Sequence, residues 1–384
     1  MDGLKQKTKQ QLIKFDLRTY TMVAVLILIA VVFEILTKGV FFTPRNLSNL
    51  FRSMSITAVI AIGMVMIMVS GNIDLSVGSI VALCGGIAAV LQVWHGLPTA
   101  VVVAAALILG GILGAWSGYW VAYRGLPAFI VTLGSQLAFR GIYLVITKGI
   151  TITPISHSFA LISQSYLPPA MGIVVGILGG LAMTAMFWLN RKSRKRYGFQ
   201  NSTSGVFVGK ILLTWVVLGA FVFSMNRFNG VPAPVMILIV LAVIFVFITT
   251  RTRFGRRIYA IGGNQEAARL SGIDVRAYMM VLYVVMGVMA AISGIMLTSR
   301  LDGATASAGT AYETDVISAV VIGGTSMAGG KGTIMGALIG ALVIAALENG
   351  MSLLNITYYY QSIVKGLVLI FAVLLDVSTQ SKKS

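Results

Sequence analysis

Residues 53–93 read SMSITAVIAIGMVMIMVSGNIDLSVGSIVALCGGIAAVLQV, two apolar runs on either side of the polar insert Ser70-Gly-Asn-Ile-Asp-Leu-Ser-Val-Gly-Ser79. About 18 consecutive apolar residues are enough for a helix to cross a hydrocarbon core near 30 Å thick. Further runs stand at about 20–36, 98–123, 127–146, 170–189, 210–225, 233–250, 278–298 and 358–376. A second interrupted block covers 316–348, split by Gly323-Gly-Thr-Ser-Met-Ala-Gly-Gly-Lys-Gly-Thr333. Hydrophobic residues make up 57% of the chain and charged residues 10%, with a mean hydropathy of +0.92. Soluble domains carry about one quarter charged residues. The expected fold is all-α: a polytopic transmembrane helix bundle of roughly ten spans, containing broken or re-entrant helices.

The two interrupted blocks correspond. Each runs from an apolar piece through a Gly/Ser-rich break to an apolar piece rich in small residues, which suggests a pseudo-repeat of two halves with a pathway at their interface. Asp74 costs about 2.5–3.5 kcal/mol at a helix centre in lipid, so it is expected to face protein or water at the break. Two readings stand side by side. In one, Asp74 or Ser76 caps the helix running to Val93. In the other, the opened backbone lines a polar path, with Asn72, Asp74 and Ser76 from the first break and Thr325 and Ser326 from the second.

Three glycine ladders, Gly110/Gly114/Gly118, Gly172/Gly176/Gly180 and Gly332/Gly336/Gly340, remove side chains from one helix face and let a neighbour approach closely. Arg140, inside an apolar run, is expected to snorkel to an interface, with contact to a permeating polar solute as the other reading. The segments 147–169 and 299–315 read as outer loops, the second solvated around Arg300, Asp302, Glu313 and Asp315.

The net charge of +18 is distributed in clusters that flank hydrophobic runs. Lys5, Lys7, Lys9, Lys14 and Arg18 precede the first run. Arg191, Lys192, Arg194, Lys195, Arg196 and Lys210 follow the run at 170–189, and Lys382 and Lys383 end the chain. That pattern marks cytoplasmic loops beside anionic lipid; nucleic acid is not an expected partner. The organisation that follows is a basic cytoplasmic segment 1–19, a transmembrane domain 20–376 and a tail 377–384. Both termini are cytoplasmic, as are the basic loop 190–209 and the polar loop 251–276.

The loop 251–276 holds a short helix. Asn264 reads as its N-cap, Gln265 to Leu270 as helix formers, with Glu266 and Arg269 matched to the dipole, and Gly272 as its stop. About two turns cannot hold themselves together in water, so this helix is expected to lie on another protein.

Other chemistries find little support. Gly-Gly-Lys-Gly-Thr at 329–333 fails the phosphate-loop spacing, because Thr325 and Gly332 stand where Gly and Ser/Thr are needed. Cys84 is the only cysteine, which leaves no disulfide framework or thiolate metal site, and no metal or cofactor is assigned to this chain. An ion-coupled secondary transporter is the alternative, and it would need intramembrane titratable groups; the candidates are Glu34, Asp74 and Glu348.

Gly71-Asn-Ile-Asp-Leu-Ser-Val-Gly78, Leu126-Pro-Ala-Phe-Ile-Val-Thr-Leu-Gly134 with Phe139-Arg-Gly141, Gly262-Gly-Asn-Gln-Glu-Ala-Ala-Arg-Leu-Ser-Gly-Ile273 and Val321-Ile-Gly-Gly-Thr-Ser-Met-Ala-Gly-Gly-Lys-Gly332 stand in order. Together they resemble the permease subunits of bacterial monosaccharide ABC importers of the ribose, xylose and multiple-sugar types. Length and the basic loop are more similar to the xylose or multiple-sugar branch, although Asn72 stands where the family usually has Gly. The resemblance implies an inner-membrane permease acting as a pair, expected to be a homodimer, with ATP and Mg used by a partner ATPase and sugar delivered by an extracytoplasmic binding protein. Carried onto this chain, Gly262, Gly263, Asn264, Gln265, Glu266, Ala267, Arg269, Leu270 and Gly272 form the coupling element towards the ATPase. Arg45, Arg52, Lys148, Arg227 and Arg300 become candidate docking points for the binding protein.

Overall fold

The computed structural model describes residues 17–198 and 203–381. Within them the chain is a bundle of fifteen α-helices with almost no sheet. Eight of these helices are long and apolar enough to cross a membrane. They are α2 (Pro44–Val69), α4 (Thr99–Gly118, continued by a π-helical turn to Tyr123), α5 (Ala128–Thr147), α7 (Pro169–Arg196), α8 (Ser204–Asn226), α9 (Ala233–Arg251), α12 (Val275–Leu301) and α14 (Ile334–Leu353). Shorter apolar stretches lie in α1 (Leu17–Leu36), α3 (Val77–Val93) and α15 (Tyr358–Ser381). The remaining helices are α6 (His157–Gln164), α10 (Arg253–Gly263), α11 (Gln265–Leu270) and α13 (Tyr312–Ile322). The basic run Asn190–Arg196 is the last part of α7, not loop. Lys5, Lys7, Lys9, Lys14, Lys382 and Lys383 lie outside the described residues.

Both interrupted blocks break where expected, α2 giving way to α3 at 70–76 and α13 to α14 at 323–333. The glycine ladders are helix contact faces except at Gly332, which lies in the second break against Thr325 and Val69. Gly110 and Gly114 of α4 lie directly against the backbone of Gly287 and Tyr283 on α12, and Gly118 against Met280. Gly176 and Gly180 of α7 receive Val222 and Trp215 of α8, while Gly336 and Gly340 of α14 abut Gly323 and Ala319. A side chain at any of these contacts would hold the helices apart.

The segment 299–315 is not a solvated loop. α12 continues to Leu301, Asp302 turns the chain at φ 56°, and residues 303–311 run back into the bundle without forming a helix. Ala304 pairs with Ile152, and further on Gly309 seats against Gly78 at the start of α3. Arg140 does not snorkel. Its guanidinium donates to the carbonyls of Ala306 (2.8 Å) and Ala308 and to Thr310 Oγ1 (2.9 Å), while the Tyr143 hydroxyl donates to the Thr305 carbonyl. The reason is that each unpaired backbone group at membrane depth costs several kcal/mol, so a non-helical segment there needs side-chain donors.

Asp315 is also misplaced by a solvated reading. It is buried on α13, where Lys365 of α15 donates to Oδ2 at 3.0 Å and lies 2.9 Å from Oδ1. Lys365 also reaches Glu348 of α14 at 3.5 Å. Removing one partner of such a pair leaves a charge buried alone, at a cost of about 3–5 kcal/mol, whereas an apolar pair of similar volume is often neutral. Asp315→Ala is therefore expected to lower the unfolding temperature in detergent markedly, and Asp315→Leu combined with Lys365→Met to recover most of the loss.

Candidate functional site

The loop 251–276 folds into more than one short helix. Thr252 accepts from the Gly255 amide at 3.2 Å and starts α10. Phe254, Ile258 and Ile261, spaced by four and three residues, turn one face of α10 inward, and its arginines Arg253, Arg256 and Arg257 stay exposed. That face rests on the bundle end where both breaks lie.

Three glycine-bearing segments meet there. A methyl group at Gly262 would strike the Val69 carbonyl, the last residue of α2. The same carbonyl accepts from the Gly330 amide at 2.8 Å. Gly329 sits against both the Gly262 carbonyl and Gly71, and Gly330 against Gly263. Tyr259 adds a longer link by donating to the Gly332 carbonyl at 2.8 Å. Burial raises the Tyr259 phenol above its ordinary pKa, which keeps it a donor. The end of α10 is thus packed on Val69, at the edge of the first break, and packed and bonded to the second (Gly329, Gly330, Gly332), while Gly329 and Gly330 link the two breaks to each other. Tyr259, Val69 and Gly330 were not singled out from sequence; the paired glycines at 262–263 and 329–330 were the available signal.

α11 stands outside this junction. Asn264 Oδ1 accepts from the Ala267 amide at 2.9 Å, Arg269 pairs with Glu266 at 2.7 Å, and Gly272 leaves the helix at φ +81°. Ala268 is buried and forms its foot on the bundle, while Gln265, Glu266, Ala267 and Arg269 are exposed and Leu270 is 79% exposed. Between α11, the α4–α5 turn and the first break lies an open cleft of about 630 Å³, bordered by Asn72, Leu126, Gln265, Glu266, Arg269 and Met279.

The path candidates fall into different surroundings. Asp74 is buried, and its Oδ1 accepts from the amide (2.8 Å) and hydroxyl (2.6 Å) of Ser76. It ties the turn before α3, whose first-turn amides receive no cap from the Ser76 side chain. Thr325 and Ser326 are buried inside the second break, and the Thr325 hydroxyl has no hydrogen-bond partner among the described residues. Of the five, only Asn72 borders the cleft.

The docking candidates divide as well. Arg45, Lys148 and Arg227 are exposed. Arg52 donates to the Ser163 carbonyl (3.0 Å) and to the Tyr166 hydroxyl (3.1 Å), and Arg300 donates to Ser53 (2.8 Å), so both are occupied within the chain. Among the described residues no group of three His, Cys, Asp or Glu side chains is placed to hold a metal.

The family described as branched-chain amino acid transport system / permease component matches residues 46–373. The xylose transport system permease protein XylH of Escherichia coli K12 is 46% identical over 96% of this chain and 93% of its own length. Its Haemophilus influenzae counterpart is 45% identical over 96% of this chain and 98% of its own. The ribose import permease protein RbsC of Escherichia coli K12 is 38% identical over 93% of this chain and 92% of its own. No solved structure matches the chain. A bundle of apolar helices interrupted at two glycine-lined breaks, matched nearly end to end by transport permeases, places this chain in the branched-chain amino acid transport system / permease component family.

Proposed function

We propose that this chain is the membrane subunit of an ATP-driven importer that carries a monosaccharide, xylose in the first instance and ribose as the nearer alternative, by alternating access. The observation that carries the reading is the pairing of an exposed helix with a glycine junction. α11 offers Glu266, Ala267, Arg269 and Leu270 to a partner, and α10 behind it is joined to both breaks. A push on α11 is delivered to two of the three places where the bundle is not continuous helix.

In this reading the partner on α11 is an ATPase that binds ATP and Mg, on the cytoplasmic side with both termini of this chain. A second copy of the chain completes the membrane unit. A sugar-binding protein docks on the opposite end, where Arg45, Lys148 and Arg227 are exposed. The ATPase drives the change only through differing affinity for the two states of the permease, since a partner binding both equally shifts nothing. No covalent chemistry is assigned to this chain.

Co-expression with the ATPase and binding protein, followed by reconstitution into proteoliposomes, tests the reading. Xylose uptake is expected to require ATP; uptake by this chain alone, driven by an ion gradient, would overturn it. The triple change Glu266→Lys, Ala267→Trp, Leu270→Asp is expected to prevent ATPase co-purification. Gly262→Val is expected to leave the assembled complex hydrolysing ATP while uptake falls by about tenfold or more, the equivalent of about 1.4 kcal/mol.

A further inference from the structure

The re-entrant segment 302–311 leaves a polar strip on the outside of a single copy. Ser307, Thr310 and Thr314 are exposed, and Gln136, Arg140 and Glu313 are half-buried beside them. The strip lies at membrane depth. Gln136 and Arg140 flank the midpoint of α5, a helix of crossing length, and Gly309 rests on Gly78 of α3. Gln136 donates to Glu313 Oε1 at 2.9 Å, and the absence of a side chain at Gly78 makes room for the other carboxylate oxygen.

Lipid cannot cover this surface. A carboxylate facing hydrocarbon at a helix centre costs about 2.5–3.5 kcal/mol. Non-helical backbone at that depth is tolerated only inside protein or along a water-filled cavity. The contrast with the middle of α8 is direct, because Leu212, Leu213, Val216 and Val217, exposed there, are apolar.

From this we infer that the strip is a sugar-binding station on the transport path, with Gln136, Thr310, Glu313 and Thr314 as its recognition groups. The inference rests on the monosaccharide-importer reading and gives that path its residues, in place of the buried Asp74, Thr325 and Ser326. Each sugar hydroxyl both donates and accepts. A carboxylate accepts from two such hydroxyls and a carboxamide serves both roles, while the threonine hydroxyls, whose protons already go to the carbonyls of Ser307 and Ala311, accept. Arg140 is occupied by the carbonyls of 306 and 308 and fixes the shape of the segment. The second copy of the chain closes the path off from lipid.

Thiol accessibility in the reconstituted complex tests this. In a Cys84→Ala background, Ser307→Cys and Thr314→Cys are treated with a membrane-impermeant methanethiosulfonate from either side, with and without ATP, and compared with Val216→Cys on α8. Both are expected to react about tenfold faster than Val216→Cys in at least one state, since thiol reactivity follows solvent access, and xylose or ribose is expected to slow the reaction. Glu313→Gln and Gln136→Leu are expected to lower uptake about tenfold with ATP hydrolysis retained, the loss that follows from removing one charge-assisted hydrogen bond. Reaction no faster than at Val216→Cys overturns the station, as does normal uptake by both side-chain variants. Labelling reads water access and not transport, so it is separable from the ATP-dependent uptake that tests the importer itself.

Discussion

Inside a membrane every backbone amide and carbonyl must find its partner within the protein. This chain departs from continuous helix at 70–76, 302–311 and 323–333, and each departure is closed by a named bond. Asp74 turns back to Ser76, Arg140 and Tyr143 hold the carbonyls of 305, 306 and 308, and Val69 and Ser326 tie the second break through Gly330 and Lys331. Polar side chains thus stand where the irregular backbone needs them, while Asp315 and Lys365 pair one helix with another.

Glycine supplies the means. Along α4, α12 and α14 it brings backbones together and makes broad, rigid seams. At Gly71, Gly262, Gly329 and Gly330 it does something different, letting three irregular segments touch through main chain alone. Contacts of that kind have no side chain to rotate out of the way. α10 therefore touches Val69 and the 326–332 turn directly, and Val69 ends α2, one of the most deeply buried helices in the bundle.

Much of this was legible in the sequence, for reasons that can be traced. Apolar runs revealed the spans because hydrocarbon thickness sets their length. The breaks showed as Gly, Asn, Asp and Ser inside apolar sequence, and α11 as Asn264 before helix formers with Gly272 after them. α10 was hidden because four arginines, 251, 253, 256 and 257, masked the spacing of Phe254, Ile258 and Ile261. The segment 299–315 misled for a related cause: Arg300, Asp302, Glu313 and Asp315 look like a wet loop when their partners are unknown. Arg140 and Asp315 are satisfied by groups far along the chain, and local pattern carries no trace of such pairings.

The buried pair between Asp315 and Lys365 also constrains how the molecule can be made. The two residues are 50 positions apart, and synthesis delivers the acid first. Until α15 emerges from the ribosome, α13 carries an uncompensated carboxyl that hydrocarbon resists. About the last fifth of the chain is therefore expected to enter the bilayer as a group, with α13, α14 and α15 released together.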